Sequence, residues 1–447
     1  MDRPYIFHEL TNSVCHHCFR KVEAKVVFQN EKVYLHKFCP EHKMQKVLIA
    51  TDIDYYLRMR NVSKPGQMPY AFNTPMQNGC PFDCGLCPDH EQHSCLTLIE
   101  ITDRCNLTCP VCYAGSSPRH KHRPLSDVIA MLDRIVANEK EPDVVQISGG
   151  EPTLHPDFFT ILDEAKARPI RHLMINTNGV RLAKDRKFTE RLAAYMPGFE
   201  VYLQFDALDA EVLQELRGED LTQVRQQALE NLNAFNISTT LVVTLKKGLN
   251  DHFIGEMIDF ALKQPCVRGV TFQPVQQAGR LENFDAATDR LTLTEVRQQI
   301  LEQSDVFTAE DLIPVPCHPE CITMGYALKM EGKTIPLTTL VDPDQVGNTI
   351  RYEEALSLFS TAHSPQAAAQ ILCCLPEIPV PENLSYNNLF RIIIMRFMDA
   401  YDLDVRSVKK SCVHIVSADA KKVIPFDTYN LFYRDPEVLA QVPGVQV

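Results

Sequence analysis

Two rhythms of apolar positions alternate along the middle of the chain. Short aliphatic runs at residues 96–102, 144–148, 172–176, 200–205, 238–244 and 269–273 read as strands. Between them, apolar residues recur at helical spacing over 125–136, 158–167, 188–195, 221–235 and 253–262. Strands joined by helical crossovers pair in parallel, and right-handed crossovers repeated in this way build a curled sheet. The expected fold class is therefore α/β, with a partial (β/α)6 barrel over residues 96–280. In such folds the chemical groups gather just past the carboxyl ends of the strands.

The flanking patterns differ. In residues 1–50, the alternating stretch Val22-Glu23-Ala24-Lys25-Val26 reads as a hairpin strand inside a small metal-stapled unit. Residues 51–95 hold few aliphatics and are interrupted by Pro65, Pro69, Pro75, Pro81 and Pro88. A segment with so little core of its own calls for a metal staple. Residues 281–447 form a less regular α+β region, in which 364–381 reads as a loop around a short helix containing Cys373-Cys374. Residues 389–401 are expected to form an amphipathic helix with Phe390, Ile393, Ile394 and Phe397 packed inward.

Composition narrows the class. The 447 residues include sixteen cysteines, which fall in short clusters rather than dispersed pairs. The opening Met1-Asp2-Arg3-Pro4 is no secretory segment, so reduced, metal-bound thiols in a cytoplasm are expected. A formal charge of −12 argues against a nucleic-acid partner. No apolar run reaches the roughly 18 residues that a membrane span needs.

The cysteine spacing carries the chemistry. Cys80-x3-Cys84-x2-Cys87 and Cys105-x3-Cys109-x2-Cys112 repeat one pattern, and Gly149-Gly150-Glu151-Pro152 begins 37 positions after Cys112. Three thiolates in one loop hold three irons of a [4Fe–4S] cubane and leave the fourth open; a zinc knuckle is the bland alternative. The second triplet follows a strand directly, whereas the first follows none and has Cys95 as an available fourth ligand. The first therefore reads as a closed electron relay and the second as the reactive site. Glycines at 149 and 150 let the backbone approach a ligand closely, against the alternative of an ordinary turn. Cys15, Cys18, Cys39 and His42 have the two-knuckle spacing of a zinc ribbon or rubredoxin-like site, one mononuclear zinc or iron. Cys317, Cys321 and Cys412, with Cys373 or Cys374, make a further candidate cluster, the alternative being buried free thiols. Cys266 reads as core.

The motifs C-N-L-T-C-P-V-C-Y and S-G-G-E-P resemble those of the radical S-adenosylmethionine (SAM) superfamily. That resemblance implies a cluster on Cys105, Cys109 and Cys112 whose open iron binds SAM. One-electron cleavage then yields methionine and a 5′-deoxyadenosyl radical that abstracts a substrate hydrogen. It also implies an external reductant of the flavodoxin or ferredoxin type. Gly149, Gly150, Glu151 and Pro152 are the expected contacts to SAM. Thr177 and Asn178 are candidates for its ribose, with Gln204 and Asp206 as similar candidates and Arg217 for its carboxylate. An Asn-Gly turn and a surface arginine are the plain alternatives at 178 and 217. One departure stands out: the superfamily's aromatic before the third cysteine is Val111 here, and Tyr113 follows it instead.

The full order of features resembles the tetraether lipid synthase family: ribbon, G-C-P-F-D-C-G-L-C, SAM triplet, C-H-P-E-C, and C-V-H-I-V with I-P-F-D-T-Y-N-L-F-Y-R. It implies joining of two unactivated lipid-chain carbons, with Cys80, Cys84, Cys87 and Cys95 as one auxiliary set and Cys317, Cys321 and Cys412 as another. A lipid substrate would ask for peripheral contact with the inner membrane surface, for which the region of Arg391 and Arg396 with Lys409 and Lys410 is the candidate. Phe426, Tyr429, Phe432 and Tyr433 would line a lipid tunnel or belong to the core. Similar sequences have been read as radical methylases of a pterin-like small molecule, and that alternative stays open. A third reading, a non-catalytic iron–sulfur carrier or ribbon scaffold, has no use for an open iron.

Overall fold

The structure, a computed structural model, describes residues 4–62, 67–330, 333–339 and 386–445. Strands β1 (Ile6–Val14), β2 (Lys21–Gln29), β3 (Lys32–Cys39) and β4 (Lys43–Ala50) form an antiparallel sheet in chain order. The alternation expected from Val22 onward is β2: Val22, Ala24 and Val26 are buried, and Lys21, Glu23 and Lys25 are exposed.

The barrel strands are β5 (Leu96–Thr102), β7 (Val144–Gly149), β8 (His172–Thr177), β9 (Phe199–Gln204), β10 (Thr239–Leu245) and β11 (Val267–Pro274), all parallel in that order. A short β6 (Val111–Cys112) lies within the cysteine loop and pairs with β12 (Arg280–Leu281). Helices such as Leu125–Glu139, Phe158–Lys166 and Thr222–Ala234 make the crossovers. Their buried stripes, for example Val128, Met131, Leu132 and Ile135, cover the outer face of the sheet and join one continuous core with it.

The carboxyl-terminal region is built into this sheet. It contributes β13 (Ile313–Pro314), β14 (Ile322–Met330), β15 (Lys333–Pro336), β16 (Leu389–Met395), β17 (Val413–Val416) and β18 (Val423–Pro425). The order runs β13-β14-β16-β11-β10-β9-β8-β7-β5-β17-β18, with β15 on β14. Thus β16 is a parallel neighbour of β11, and β17 is a parallel neighbour of β5 at the other side.

β16 corrects the helix expected over 389–401. All seven residues of β16 are buried, and such a strand, covered on both faces, reads as an unbroken apolar run. Periodicity alone does not separate that run from a buried helix. The membrane-facing role for Arg391 and Arg396 falls with it. Arg391 is buried against Glu200 at 2.5 Å, and Arg396 is buried against Asp402. Cys373 and Cys374 lie outside the described residues. Cys266 is fully buried, as expected of core. No helix among the described residues is long and apolar enough to cross a membrane.

Glu200 and Arg391 tie β9 to β16, and Tyr386 donates to the same carboxylate at 2.8 Å. Burial alone would raise the Glu200 pKa, but Arg391 and His172 outweigh it and hold the carboxyl well below its ordinary 4.5. Glu200→Gln leaves Arg391 buried without a counter-charge and is expected to cost about 3–5 kcal/mol in denaturant unfolding. Because the folded pKa is depressed, this contribution is complete above pH 4.5 and is lost as pH falls from there towards the folded value. The difference between wild type and variant should stay constant near neutrality and shrink only in the acid limb.

Candidate active site and metal centres

The carboxyl ends of the barrel strands open into a cleft lined by Cys105, Cys109 and Cys112 together with Gly149, Gly150, Thr177, Asn178, Gln204 and Arg217. Cys105 and Cys109 are buried and Cys112 is half-buried. The cysteine loop is fastened by Arg280, whose guanidinium donates to the carbonyls of Cys109 at 2.6 Å and Ser116 at 2.9 Å. Burial pushes the Cys105 thiol up to about 12 and raises that of Cys109 as well. Three soft donors on one loop fit the three-thiolate attachment of a [4Fe–4S] cluster.

The glycine pair has a reason beyond approach to a ligand. A Cβ on Gly149, which has φ +124°, would stand 2.2 Å from the Thr102 carbonyl oxygen; one on Gly150 would stand 2.3 Å from that of Arg104. The Gly150 N–H donates to Thr102 at 2.7 Å, and the Glu151 N–H donates to Arg104 at 2.9 Å. The motif therefore holds the chain that leads into Cys105.

Glu151, Pro152 and Asp206 do not line the cleft, which corrects their expected role as SAM contacts. The Glu151 carboxylate turns inward and accepts from the Thr153 N–H and hydroxyl, the Thr177 hydroxyl and the Asn178 N–H. It joins the ends of β7 and β8, because a buried carboxylate must be satisfied by neighbouring donors. Pro152 is buried in the short turn that follows. Asp206 takes a two-pronged ion pair from Arg217, at 2.7 Å and 2.6 Å. Arg217 also donates to Thr244 at 2.8 Å and to the Val111 carbonyl at 3.2 Å. It is a buried strut and no surface arginine, with most of its donors engaged. Gln204 donates to Asp206 at 2.7 Å, and Asn178 donates to Asn106 beside the cluster loop at 2.7 Å.

Arg225 was absent from the sequence reading. Its guanidinium is fully buried on the cleft wall, donates to the Asn178 carbonyl, and has no hydrogen-bond partner for Nε or Nη2. Asp206 stands 3.7 Å away, and burial lowers the Arg225 pKa to about 10. A buried guanidinium with free donors fits the carboxylate of an amino-acid-bearing cosubstrate such as SAM. Its place on an otherwise ordinary helix gave no signal in the sequence.

The lumen was also missed, although a signal existed. Glu100, Gln146, Ser148, Asn176, Tyr202, Gln204, Thr244 and Gln273 line it, one or two from each successive strand. Pairs such as Gln146 with Ser148 and Tyr202 with Gln204 are polar at alternate positions of apolar strands, the period of one strand face. Arg434 donates to Glu100 at 2.9 Å across the cleft. Apolar residues that include Tyr113, Met395, Phe397, Val413 and Phe426 line the same cleft. Tyr113, the displaced aromatic of the motif, stands edge-on to Phe397 and Phe426. Of the suggested tunnel aromatics only Phe426 reaches the cleft. Phe432 is core, and Tyr433 caps the first triplet by accepting from the Cys84 N–H at 2.9 Å.

In the amino-terminal unit, the donor atoms of Cys15, Cys18, Cys39 and His42 all lie within 4.8 Å of one another. Burial opposes ionisation of Cys15, but N–H groups of Cys18, Gln45 and His17 outweigh it and lower the pKa to about 7. A set of three sulfurs and one imidazole nitrogen fits a tetrahedral zinc or mononuclear iron. Around the first triplet, burial raises the Cys84 pKa, and neighbouring Cys80 and Cys87 add to the rise.

Cys95 corrects the expected Cys80/84/87/95 set. Its sulfur lies within 4.8 Å of those of Cys317 and Cys412, and Cys317 is 3.2 Å from Cys412. Topology explains the regrouping. Cys95 directly precedes β5 and Cys412 directly precedes β17, and these parallel neighbours pair Leu96 with Val413. The Leu96 N–H donates to the Cys412 carbonyl at 3.1 Å, so the two preceding residues stand side by side. Cys321 is buried nearby in the chain fold, 3.8 Å from the Ser407 hydroxyl.

Comparison with known proteins agrees with this geometry. Residues 99–261 match the radical SAM superfamily, and residues 7–51 match a zinc ribbon described as the HMPTM N-terminal zinc ribbon domain. The chain is 29% identical to the 7,8-dihydro-6-hydroxymethylpterin dimethyltransferase of Methanocaldococcus jannaschii, over 95% of this chain and 94% of that protein. It is 33% identical to a mycofactocin maturase of Mycobacterium ulcerans, over 37% of this chain and 43% of that one. It is 26% identical to a GTP 3′,8-cyclase of Pseudomonas fluorescens, over 46% of this chain and 61% of that enzyme. With a zinc ribbon at residues 7–51 ahead of a radical SAM domain at residues 99–261, the chain is an enzyme that uses SAM and [4Fe–4S] clusters.

Proposed function

We propose that this enzyme functionalises an unactivated carbon of a small, flat, hydrogen-bonding heterocycle, and that a pterin is the substrate class and methylation the outcome. The observation that carries the reading is the lumen, where amide and hydroxyl groups from five successive strands, Gln146 to Gln273, line one cleft together with apolar side chains such as Met395, Phe397 and Phe426. A fused heterocycle has donors and acceptors at its rim and an apolar face, which suits that pairing of surfaces. The likeness to a pterin dimethyltransferase over nearly the full length of both chains supports the same class. When bound, SAM and its cluster supply, with one electron from an external reductant, the power to remove a hydrogen atom from such a carbon. The chain's own residues then have three tasks. Arg280, Gly149 and Gly150 fix the cysteine loop, Arg225 offers charge to the cosubstrate carboxylate, and the lumen orients the substrate and excludes water.

A second reading, coupling of lipid alkyl chains, has its own support. Met68, Tyr70, Phe72 and Met76 are exposed at alternate positions ahead of the first triplet, an apolar stripe suited to a lipid surface. The apolar side chains of Met395, Phe397 and Phe426 in the cleft would accept an alkyl chain.

The deciding experiment is anaerobic incubation with SAM, reductant and a folate-type one-carbon donor, in parallel with 7,8-dihydro-6-hydroxymethylpterin and with a total lipid extract, followed by mass spectrometry. Pterin product heavier by one or two methylene units supports the first reading. A lipid of doubled mass less two hydrogens replaces it with the second.

A further inference from the structure

We propose that Cys95, Cys317, Cys321 and Cys412 together hold one auxiliary [4Fe–4S] centre, separate from the centre of Cys80, Cys84 and Cys87. Three observations converge on this division. The sulfurs of Cys95, Cys317 and Cys412 are mutually within 4.8 Å, with no member of the first triplet among them. The pairing of β5 with β17 forces Cys95 and Cys412 together whatever the metal state, because Leu96 and Val413 are partners in register. Cys321 follows Cys317 in a tight turn, with the Cys321 N–H donating to the His318 carbonyl at 3.1 Å. That turn carries the buried Cys321, which belongs with Cys95, Cys412 and also Cys84 to one extended cluster of packed side chains.

The placement has a functional side. Cys95 and Cys412 stand at the amino ends of their strands, whereas Cys105, Cys109 and Cys112 follow the carboxyl end of β5. At about 3.3 Å per residue, the seven residues of β5 separate the two by about 20 Å. Leu96 and Val413, the residues next to Cys95 and Cys412, line the cleft that also contains the SAM cysteines. The four-cysteine centre therefore lies beside the far end of the substrate lumen. With four thiolates it offers substrate no vacant iron and is suited to passing electrons.

The test compares single variants of the reconstituted full-length protein by EPR and Mössbauer spectroscopy under anaerobic conditions. Cys95→Ser should alter the same auxiliary-cluster signal as Cys412→Ser and leave unchanged the signal altered by Cys84→Ser. A Cys95→Ser change in the Cys84 signal would overturn the division. Iron analysis gives a second measure if any spectrum is too weak to assign. The Cys317→Ala/Cys412→Ala pair should lose about four irons, and adding Cys95→Ala should remove no more. Loss of about one iron would replace the cluster with a single metal ion. A further loss of about four on adding Cys95→Ala would return Cys95 to the first triplet.

Discussion

Cys109→Ala should abolish SAM cleavage: 5′-deoxyadenosine formation by the reconstituted, reduced protein should fall by about three orders of magnitude or more. Each factor of ten corresponds to about 1.4 kcal/mol of barrier. The expectation rests on the position of Cys109, buried between Cys105 and Cys112 on a loop held by Arg280. Removing one of three donors leaves an iron unsupported and the open position undefined. Quantifying 5′-deoxyadenosine by liquid chromatography checks it, with circular dichroism to confirm that the barrel is intact. Turnover equal to wild type would move the site elsewhere.

Gly150→Ala should lower 5′-deoxyadenosine formation by about a hundredfold without touching any thiol. The added methyl would stand 2.3 Å from the Arg104 carbonyl oxygen, and backbone cannot rotate away as a side chain does. Relief requires the chain leading into Cys105 to move by about 1 Å, a displacement that typically costs about a hundredfold in rate. The same assay reads it, together with the iron content of the SAM cluster. Unchanged iron and unchanged turnover would mean that the loop can shift freely, contrary to its hydrogen bonds at 2.7 Å and 2.9 Å.

The barrel was legible because its parallel strands are short apolar runs separated by helical periodicity, and each of the six expected strands is present within a few residues. The SAM cysteines and the ribbon ligands were legible because each set is local in sequence. The proximity of Cys95 to Cys317 and Cys412 was not legible for the opposite reason. Its partners Cys317 and Cys412 are distant in the chain and meet it only through the pairing of β5 with β17. Glu151 was expected at the site as part of the Gly149–Pro152 motif, and Asp206 for its place after the fourth strand. Here each is consumed by neighbouring donors, a matter of tertiary contact that a motif does not record. β16 escaped recognition because a fully buried strand has no polar alternation to announce it. Arg225 was hidden on a crossover helix otherwise rich in glutamine and asparagine.

The position of β17 beside β5 also sets an order of manufacture. At about 5–20 residues per second, roughly 15–60 s separate the synthesis of Cys112 from that of Cys412. Throughout that interval the first barrel strand has one side uncovered, and the ligand loop for SAM is already made. Iron delivered early would meet an unfinished vessel, with Cys95 waiting for a neighbour not yet translated. Maturation of the two regions is thus coupled: β17, made some 300 residues after the ligand loop, both covers the free side of β5 and brings Cys412 to Cys95.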